Sequence, residues 1–326
     1  MKILMVCNQD TGGVLHQLRK AIRTYTNHDC MLVMAKRTYV DVGCHMLFDK
    51  NNPKLIAAVK NFAKKADVFH FNIGDERHYY PPFLNFAPFM KGKKVIRHFR
   101  GEWFRKNHRD YYGWCKKNGY HCIVSTPDLL GLIDKGNGVF LPNVFDVSLF
   151  GEKPVKKDDK ILIVHSPTSP EIKGTKLFTQ TVKRLSKEYS NVEYKLIMNK
   201  PRMECLRLKK EADIVFDQFG VSNSMYIKGA KSVRYAYGNN AIEGFALGVP
   251  VLVELNAKFR KAYKDFSGMA CAAVQTSPKT LFKDLEKLIV DAKYRKKIGK
   301  KSRQYYMKAH SPRTIARRYI DIIEGI

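Results

Sequence analysis

The sequence has no apolar run near the ~20 residues that a bilayer-spanning helix requires. Its first ten residues, MKILMVCNQD, hold one Lys and a short apolar stretch that meets polar residues at once, which predicts a first strand and not a secretory leader. Paired cysteines are lacking: the seven, at 7, 30, 44, 115, 122, 205 and 271, are odd in number, scattered and without a C-x-x-C pair. That disfavours a disulfide framework and suits reduced thiols in a cytoplasm. Cys115, His121 and Cys122 invite a metal reading, but two further close ligands of the right type are not evident. Acidic residues are also scarce, 30 against 59 Lys and Arg, which leaves a net charge of +29 with His neutral. Residues 1–145 carry 23 basic and 11 acidic residues and residues 146–326 carry 36 and 19, so the excess is +12 and +17 and is no mere tail. A body this basic is expected to work beside a polyanion.

What is present is globular: 326 residues, 44% hydrophobic and 27% charged, long enough for two domains. Short apolar runs at 3–7, 30–35, 67–71, 93–99 and 121–125 alternate with helical or irregular stretches. After the first run, Val14, Leu15, Leu18, Ala21, Ile22 and Tyr25 recur at helical spacing. The pattern restarts with strands expected at 160–166, 193–199, 212–217 and 249–254, and a helix at 174–189 with Leu177, Val182 and Leu185 on its apolar side. Such alternation predicts mostly parallel sheets covered by helices on both faces. Residues 147–160, with Gly, Pro, four Lys and two adjacent Asp, have linker composition. The expected division is therefore 1–146, a linker at 147–160, and 161–326. Ser311-Pro312 is a good helix start, and Ile315, Tyr319, Ile322, Ile323 and Ile326 form one stripe beyond it. That last helix is expected to pack on its own protein, including back onto the first domain, or else to dock on a membrane.

Three segments could carry chemistry. In NQDTGGVLHQL (8–18), Gly12 and Gly13 lie between a strand and a helix, where backbone N–H groups can approach a phosphate. The segment lacks G-x-G-x-x-G and the P-loop Lys-Ser/Thr, which disfavours a dinucleotide or Walker-type site. In HSPTSPEIKGTKLF (165–178), Lys173 stands at a helix start near a strand's carboxyl end, where open α/β sheets bind ligands. In YAYGNNAIEGFALGVPVLVE (235–254), Glu243 sits in an otherwise apolar helix. A carboxylate there is costly to bury without a partner, and one facing a cleft can accept two hydrogen bonds from a ribose diol.

AIEGFALGVPVLV resembles the donor-site signature of the retaining nucleotide-sugar glycosyltransferases, the group 1 family with two facing Rossmann-like domains and a central cleft (the GT-B fold). The likeness continues in GG after the first strand, LPN before the linker, IVHSPTSPEIKGTKLF and ADIVFDQFG. It implies that Glu243 binds the nucleotide ribose and Lys173 the diphosphate. It also implies that Gly12 and Gly13 approach the diphosphate and acceptor, and that Asp217, Gln218, Gly238, Asn239 and Asn240 line the pocket of a UDP- or GDP-sugar. The chain departs from the family pattern at Tyr235, where an acidic residue is usual, and in lacking an Arg ahead of Lys173. In RHFRG, Arg100 fills a slot that is usually His, and His98 lies two residues earlier; either could face the donor sugar, and strand alternation would put both on one side. The implied reaction is departure of the diphosphate, stabilised by Lys173, a helix N-terminus and Arg100, with retained configuration. No DxD-type motif is evident and no cofactor is expected beyond the sugar nucleotide.

In this fold the first domain generally meets the acceptor. Residues 97–117, RHFRGEWFRKNHRDYYGWCKK, hold seven Lys/Arg, two acids and six aromatics. Such interleaving suits phosphate contacts with base stacking, or else aromatics folded inward beneath solvated cations. Arg97, Arg100, Trp103, Arg105, Lys106 and Arg109 are the candidate acceptor residues. Three readings stand: transfer to hydroxymethylated bases of DNA, transfer to a lipid or envelope saccharide at an anionic membrane, or a degenerate transferase fold that binds nucleic acid.

Overall fold

A computed structural model describes residues 1–37, 46–72, 84–134, 136–151, 159–220 and 236–326. Tyr235, with residues 221–234 before it, lies outside the described residues, as do residues 152–158, half of the expected linker. The chain divides into two compact units, Met1–Val144 with Pro312–Ile326, and Phe145–Ser311.

The first unit contains β1 (Lys2–Cys7), α1 (Val14–Tyr25), β2 (Asp29–Met34), β3 (Met46–Leu47), α2 (Pro53–Lys65), β4 (Val68–Asn72) and α3 (Ala87–Met90). It continues through β5 (Lys94–Phe99), α4 (Gly101–Lys117), β6 (His121–Val124), α5 (Pro127–Leu130) and β7 (Gly138–Phe140). The strands form one parallel sheet in the order β3-β2-β1-β4-β5-β6-β7. In register, Cys7 pairs with Asn72, and Asn72 with His98. Ile3, Leu4, Met5 and Val6 are all fully buried, which is why the run shows no alternation: a parallel strand is covered on both faces.

The second unit contains β8 (Ile161–His165), α6 (Pro170–Lys173), α7 (Thr175–Glu188), β9 (Val192–Leu196), α8 (Arg202–Lys209), β10 (Ile214–Phe216) and α9 (Asn239–Leu247). After these come β11 (Val251–Val253), α10 (Ala257–Ser267), β12 (Val274–Gln275), α11 (Leu281–Val290) and α12 (Ala292–Ala309). Its parallel sheet runs β12-β11-β10-β8-β9. Close approach fixes α9: a Cβ on Gly244 would lie 2.6 Å from Val251 Cγ2, and one on Gly299 would lie 2.3 Å from the Gly248 carbonyl oxygen. Glycine is what lets α9 rest on the sheet and α12 rest on the end of α9.

The final helix, α13 (Pro312–Glu324), packs on α1 in the first unit. Its buried face is Ile315, Ala316, Tyr319, Ile320 and Ile323, while Ile322 and Ile326 are half-buried. Two expected core positions are exposed. Tyr25 ends α1 and faces water, and Leu177 yields its place in α7 to Phe178, which stacks on Phe216. Among the described residues, no helix is long and apolar enough to cross a membrane.

Candidate functional site

In the second sheet the chain winds outward in opposite directions from β8 and β10, and ligands of open α/β sheets bind beyond the carboxyl ends of such a pair. His165 ends β8. Its ring nitrogens lie 3.0 Å from the Phe216 carbonyl oxygen and 2.8 Å from Thr175 Oγ1, and burial pushes its pKa down to about 3. It is thus a neutral imidazole tying β8, β10 and the start of α7 together. Beyond it, Ser166 Oγ donates to Asn240 Oδ1 at 2.8 Å, and Asn240 Nδ2 donates to the Phe216 carbonyl at 2.6 Å.

These ties place the first turn of α9 beside the loop that follows β10. The Gly238 N–H donates to Asp217 Oδ2 at 2.7 Å. Lys173 donates its ammonium to Gln218 Oε1, and the Gln218 amide donates to the Ala236 carbonyl. A Cβ on Gly238 would sit 3.3 Å from Lys173 Nζ and 3.5 Å from Asp217 Oδ1, so the missing side chain leaves room between the cation and the carboxylate. Asp217 Oδ1 is buried and has no hydrogen-bond partner among the described residues. Lys173, Asp217, Gln218, Gly238 and Asn240 therefore meet at the positive end of α9, whose first helical residue is Asn239. An ammonium and a helix N-terminus suit an anion. The Asp217 carboxylate holds one N–H there, that of Gly238.

Glu243 lies one turn further along α9 and departs from expectation. It is fully buried, and both carboxylate oxygens are taken, Oε1 by Arg202 and Oε2 by Lys209, the two ends of α8. Burial pushes its pKa up, but the charges and hydrogen bonds of Arg202 and Lys209 outweigh burial and hold it below the usual carboxylate range. The ribose-facing carboxylate inferred from the sequence is here an internal ion-pair centre. Its cations come from the two ends of α8, whereas Lys173 stands by the N-terminus of α9. Sequence reasoning missed Arg202 and Lys209, although their seven-residue spacing puts both on one helix face.

The first sheet has its own reversal, between β1 and β4. Gly12 and Gly13 adopt φ of 79° and 66°, which favours glycine. Asp10, fully buried, accepts from the N–H groups of Leu15 at 2.9 Å and His16 at 2.8 Å, and so satisfies the start of α1 with the chain's own carboxylate. Arg100 stands immediately before α4. Its Nε donates to Asn72 Oδ1 at 3.0 Å, and its Nη2 lies 3.6 Å from Asp10 Oδ1. His98 and Arg100 were expected on one strand face. β5 ends at Phe99, but Arg100 keeps extended backbone (φ −143°, ψ 150°) and reaches Asn72, the residue paired with His98, as well as Asp10. His98 stays inside a buried chain: Tyr319 Oη lies 2.7 Å from His70 Nδ1, His70 Nε2 lies 3.3 Å from His98 Nδ1, and His98 Nε2 lies 2.9 Å from Ser125 Oγ. Burial, with His70 and Arg100 adding to it, keeps His98 well below the ordinary histidine pKa.

The basic-aromatic segment divides. Arg97 is buried among Phe71, Trp114 and Tyr120, with its guanidinium 4.2, 4.9 and 5.3 Å from their ring centres. Arg105 pairs with Asp128 at 2.6 Å, and both side chains are largely buried. Trp103 is half-buried, edge-on to Tyr111, while Lys106 and Arg109 face solvent. Arg97 and Arg105 thus support the unit itself, because their guanidinium planes meet rings and a carboxylate inside it. Cys115 and Cys122 are buried in the adjoining apolar cluster, and no group of three metal-ligating side chains occurs among the described residues.

No protein-family model matches the chain, and no curated protein matches it. Solved structures do. HepE (Alr3699) of Anabaena, in complex with UDP and glucose, is 14% identical over 100% of both chains, with a TM-score of 0.63. A Listeria monocytogenes protein provisionally assigned as a UDP-N-acetylglucosamine 2-epimerase is 13% identical, covering 99% of this chain and 96% of its own, with a TM-score of 0.56. The glycotransferase of kitacinnamycin is 13% identical over 99% and 98%, with a TM-score of 0.50. The chain has an α/β fold of two parallel-sheet units, like these glycosyltransferase and epimerase structures.

Proposed function

We propose that this protein is a glycosyltransferase that takes a sugar from a nucleotide-sugar donor. The observation that carries the reading is the meeting of Lys173, Asp217 and Gly238 at the N-terminus of α9, beyond the carboxyl ends of β8 and β10. A donor diphosphate entering there takes the ammonium of Lys173 and the helix N-terminus, and competes with the Asp217 carboxylate for the Gly238 N–H. Negative charge growing on the leaving diphosphate is stabilised by the same groups. UDP is the nucleotide to try first, because the Anabaena and Staphylococcus aureus structures of similar fold contain it. Retention of anomeric configuration, independence of metal, and a ribose contact by Glu243 are parts of the same proposal. The Glu243 contact requires its ion pair to loosen or to share its remaining lone pairs.

For the acceptor we propose a hydroxylated base in duplex DNA, from the +29 charge spread along the whole sequence and the exposed Lys106 and Arg109. Reaching such a hydroxyl requires the base to leave the stack. The test incubates the protein with labelled UDP- and GDP-sugars and duplexes with or without 5-hydroxymethylated pyrimidines, then identifies the product and its anomer. Label on the hydroxymethylated duplex alone, lost in Lys173→Met, is the expected result. Label on lipid or polysaccharide instead moves the acceptor. Conversion of the free sugar nucleotide to an epimer, without transfer, replaces the reaction.

A further inference from the structure

Helix α12, AKYRKKIGKKSRQYYMKA, carries eight Lys and Arg and no acid in 18 residues. Two of the cations serve the fold. Arg295 Nη1 donates to the carbonyls of Leu288 at 2.6 Å and Ile289 at 3.0 Å, closing α11, and Arg303 Nη1 donates to the Ala246 carbonyl at 2.6 Å, closing α9. The other six, Lys293, Lys296, Lys297, Lys300, Lys301 and Lys308, are exposed and form no ion pair among the described residues. Their spacing brings like charges together at 293/297, 296/300 and 297/301, each an i,i+4 pair that destabilises an isolated helix. Ordinary solvated helix faces relieve this with acids at those positions, as Lys261 and Asp265 do on α10. On α12 the repulsion stands, and an external polyanion would relieve it.

The row from Lys293 to Lys308 extends about 22 Å along the helix. Lys293, Lys296, Lys297 and Lys300 border a shallow depression that also reaches Gly248 and Gly299, where the two backbones touch. We propose that α12 is a docking surface for the sugar-phosphate backbone of duplex nucleic acid, separate from the chemical site. This rests on the reading of nucleic acid as partner, but not on sugar transfer. Lysines act as point charges without the fork of arginine, so they position phosphates and do not read bases. A bilayer fits less well: the apolar face of α12, with Tyr305, Tyr306 and Ala309, is buried in its own unit, and Met307 alone among its large apolar side chains is exposed, too little to insert. The depression adjoins Gly248, at the carboxyl end of α9, whereas the Lys173 cluster is at its amino end. Neutralising the lysines therefore leaves the donor groups in place.

The experiment measures fluorescence anisotropy of a labelled, unmodified duplex across a salt series. It compares the wild type, the triple variant Lys293→Gln/Lys297→Gln/Lys300→Gln, and a control with the same charge change on α2, Lys54→Gln/Lys60→Gln/Lys64→Gln. The α12 variant is expected to bind at least about tenfold more weakly near 0.1 M salt, with the slope of log K against log salt shallower by about 0.9 per lost phosphate contact. The control is expected to stay within about threefold of wild type. Equal weakening in both variants, or wild-type affinity and slope in the α12 variant, overturns the proposal. So does α12-dependent binding to phosphatidylglycerol vesicles without duplex binding. Duplex docking without sugar transfer would sink the enzymatic reading and leave this one standing.

Discussion

Lys209 donates its ammonium to Glu243 Oε2, and neither side chain reaches solvent, at 1% and 0% exposure. With Arg202 on the other oxygen, the pairing locks α8 to α9 and compensates a carboxylate that an apolar helix could not otherwise hold. The charge is a matter of architecture in this structure, whatever it contributes to a ligand.

Replacing Glu243 with Gln leaves Lys209 buried without its counter-charge. A loss of about 3–5 kcal/mol is expected from urea unfolding at neutral pH. The folded pKa of Glu243 lies below its unfolded value. Its contribution is therefore complete above the ordinary carboxylate value near ~4.3 and fades as pH falls through the folded pKa. The gap between wild type and Glu243→Gln should narrow on acidification; a gap independent of pH would show that charge pairing is not its source.

His70 and His165, one in each unit, both have pKa values lowered to about 3, chiefly by burial. Unfolded histidine titrates near ~6.5, so between these values the unfolded chain holds more protons and stability falls as pH falls. Each contributes a slope of up to about 1.4 kcal/mol per pH unit in that window. His70→Gln should unfold with a shallower pH dependence between pH 6 and 4, read as urea midpoints across that range. An unchanged slope would place a proton on His70 in the folded state.

Gly238 has extended backbone angles that alanine can adopt. Gly238→Ala should therefore keep its melting temperature within a few degrees. Its methyl group would stand between Lys173 and Asp217, so UDP stabilisation in a thermal-shift titration should weaken several-fold. Undiminished UDP binding would locate the diphosphate elsewhere.

Gly299→Ala forces a Cβ to 2.3 Å from a backbone oxygen that cannot rotate away. A cost of at least about 1–3 kcal/mol is expected, as for other overpacked positions. Gly113, with open space around its Cβ, is the control, since Gly113→Ala in α4 should be neutral or mildly stabilising. Calorimetry of both variants reads the difference.

The strands were legible because parallel β structure demands uninterrupted apolar runs, and the runs at 3–7 and 160–166 coincide with β1 and β8 to within a residue or so. The Lys173, Asp217 and Gly238 neighbourhood was legible for a related reason: polar turns directly after such strands collect at one edge of a sheet. The partners of Glu243 were not. Arg202 and Lys209 lie more than thirty positions away in sequence, and nothing local separates a cation that will be buried from the 57 others.

By itself, the sequence determined the alternation of strands and helices, the two-part organisation and the basic surplus, since each follows from local periodicity or from a count. Only the tertiary structure decided which charges are internal. It enclosed Arg97 among rings and Arg105 against Asp128, turned Glu243 toward α8, and left the lysines of α12 in water. The reason is physical: a charged side chain's role depends on its desolvation and on the counter-charge brought to it, and both are set by residues distant in the chain.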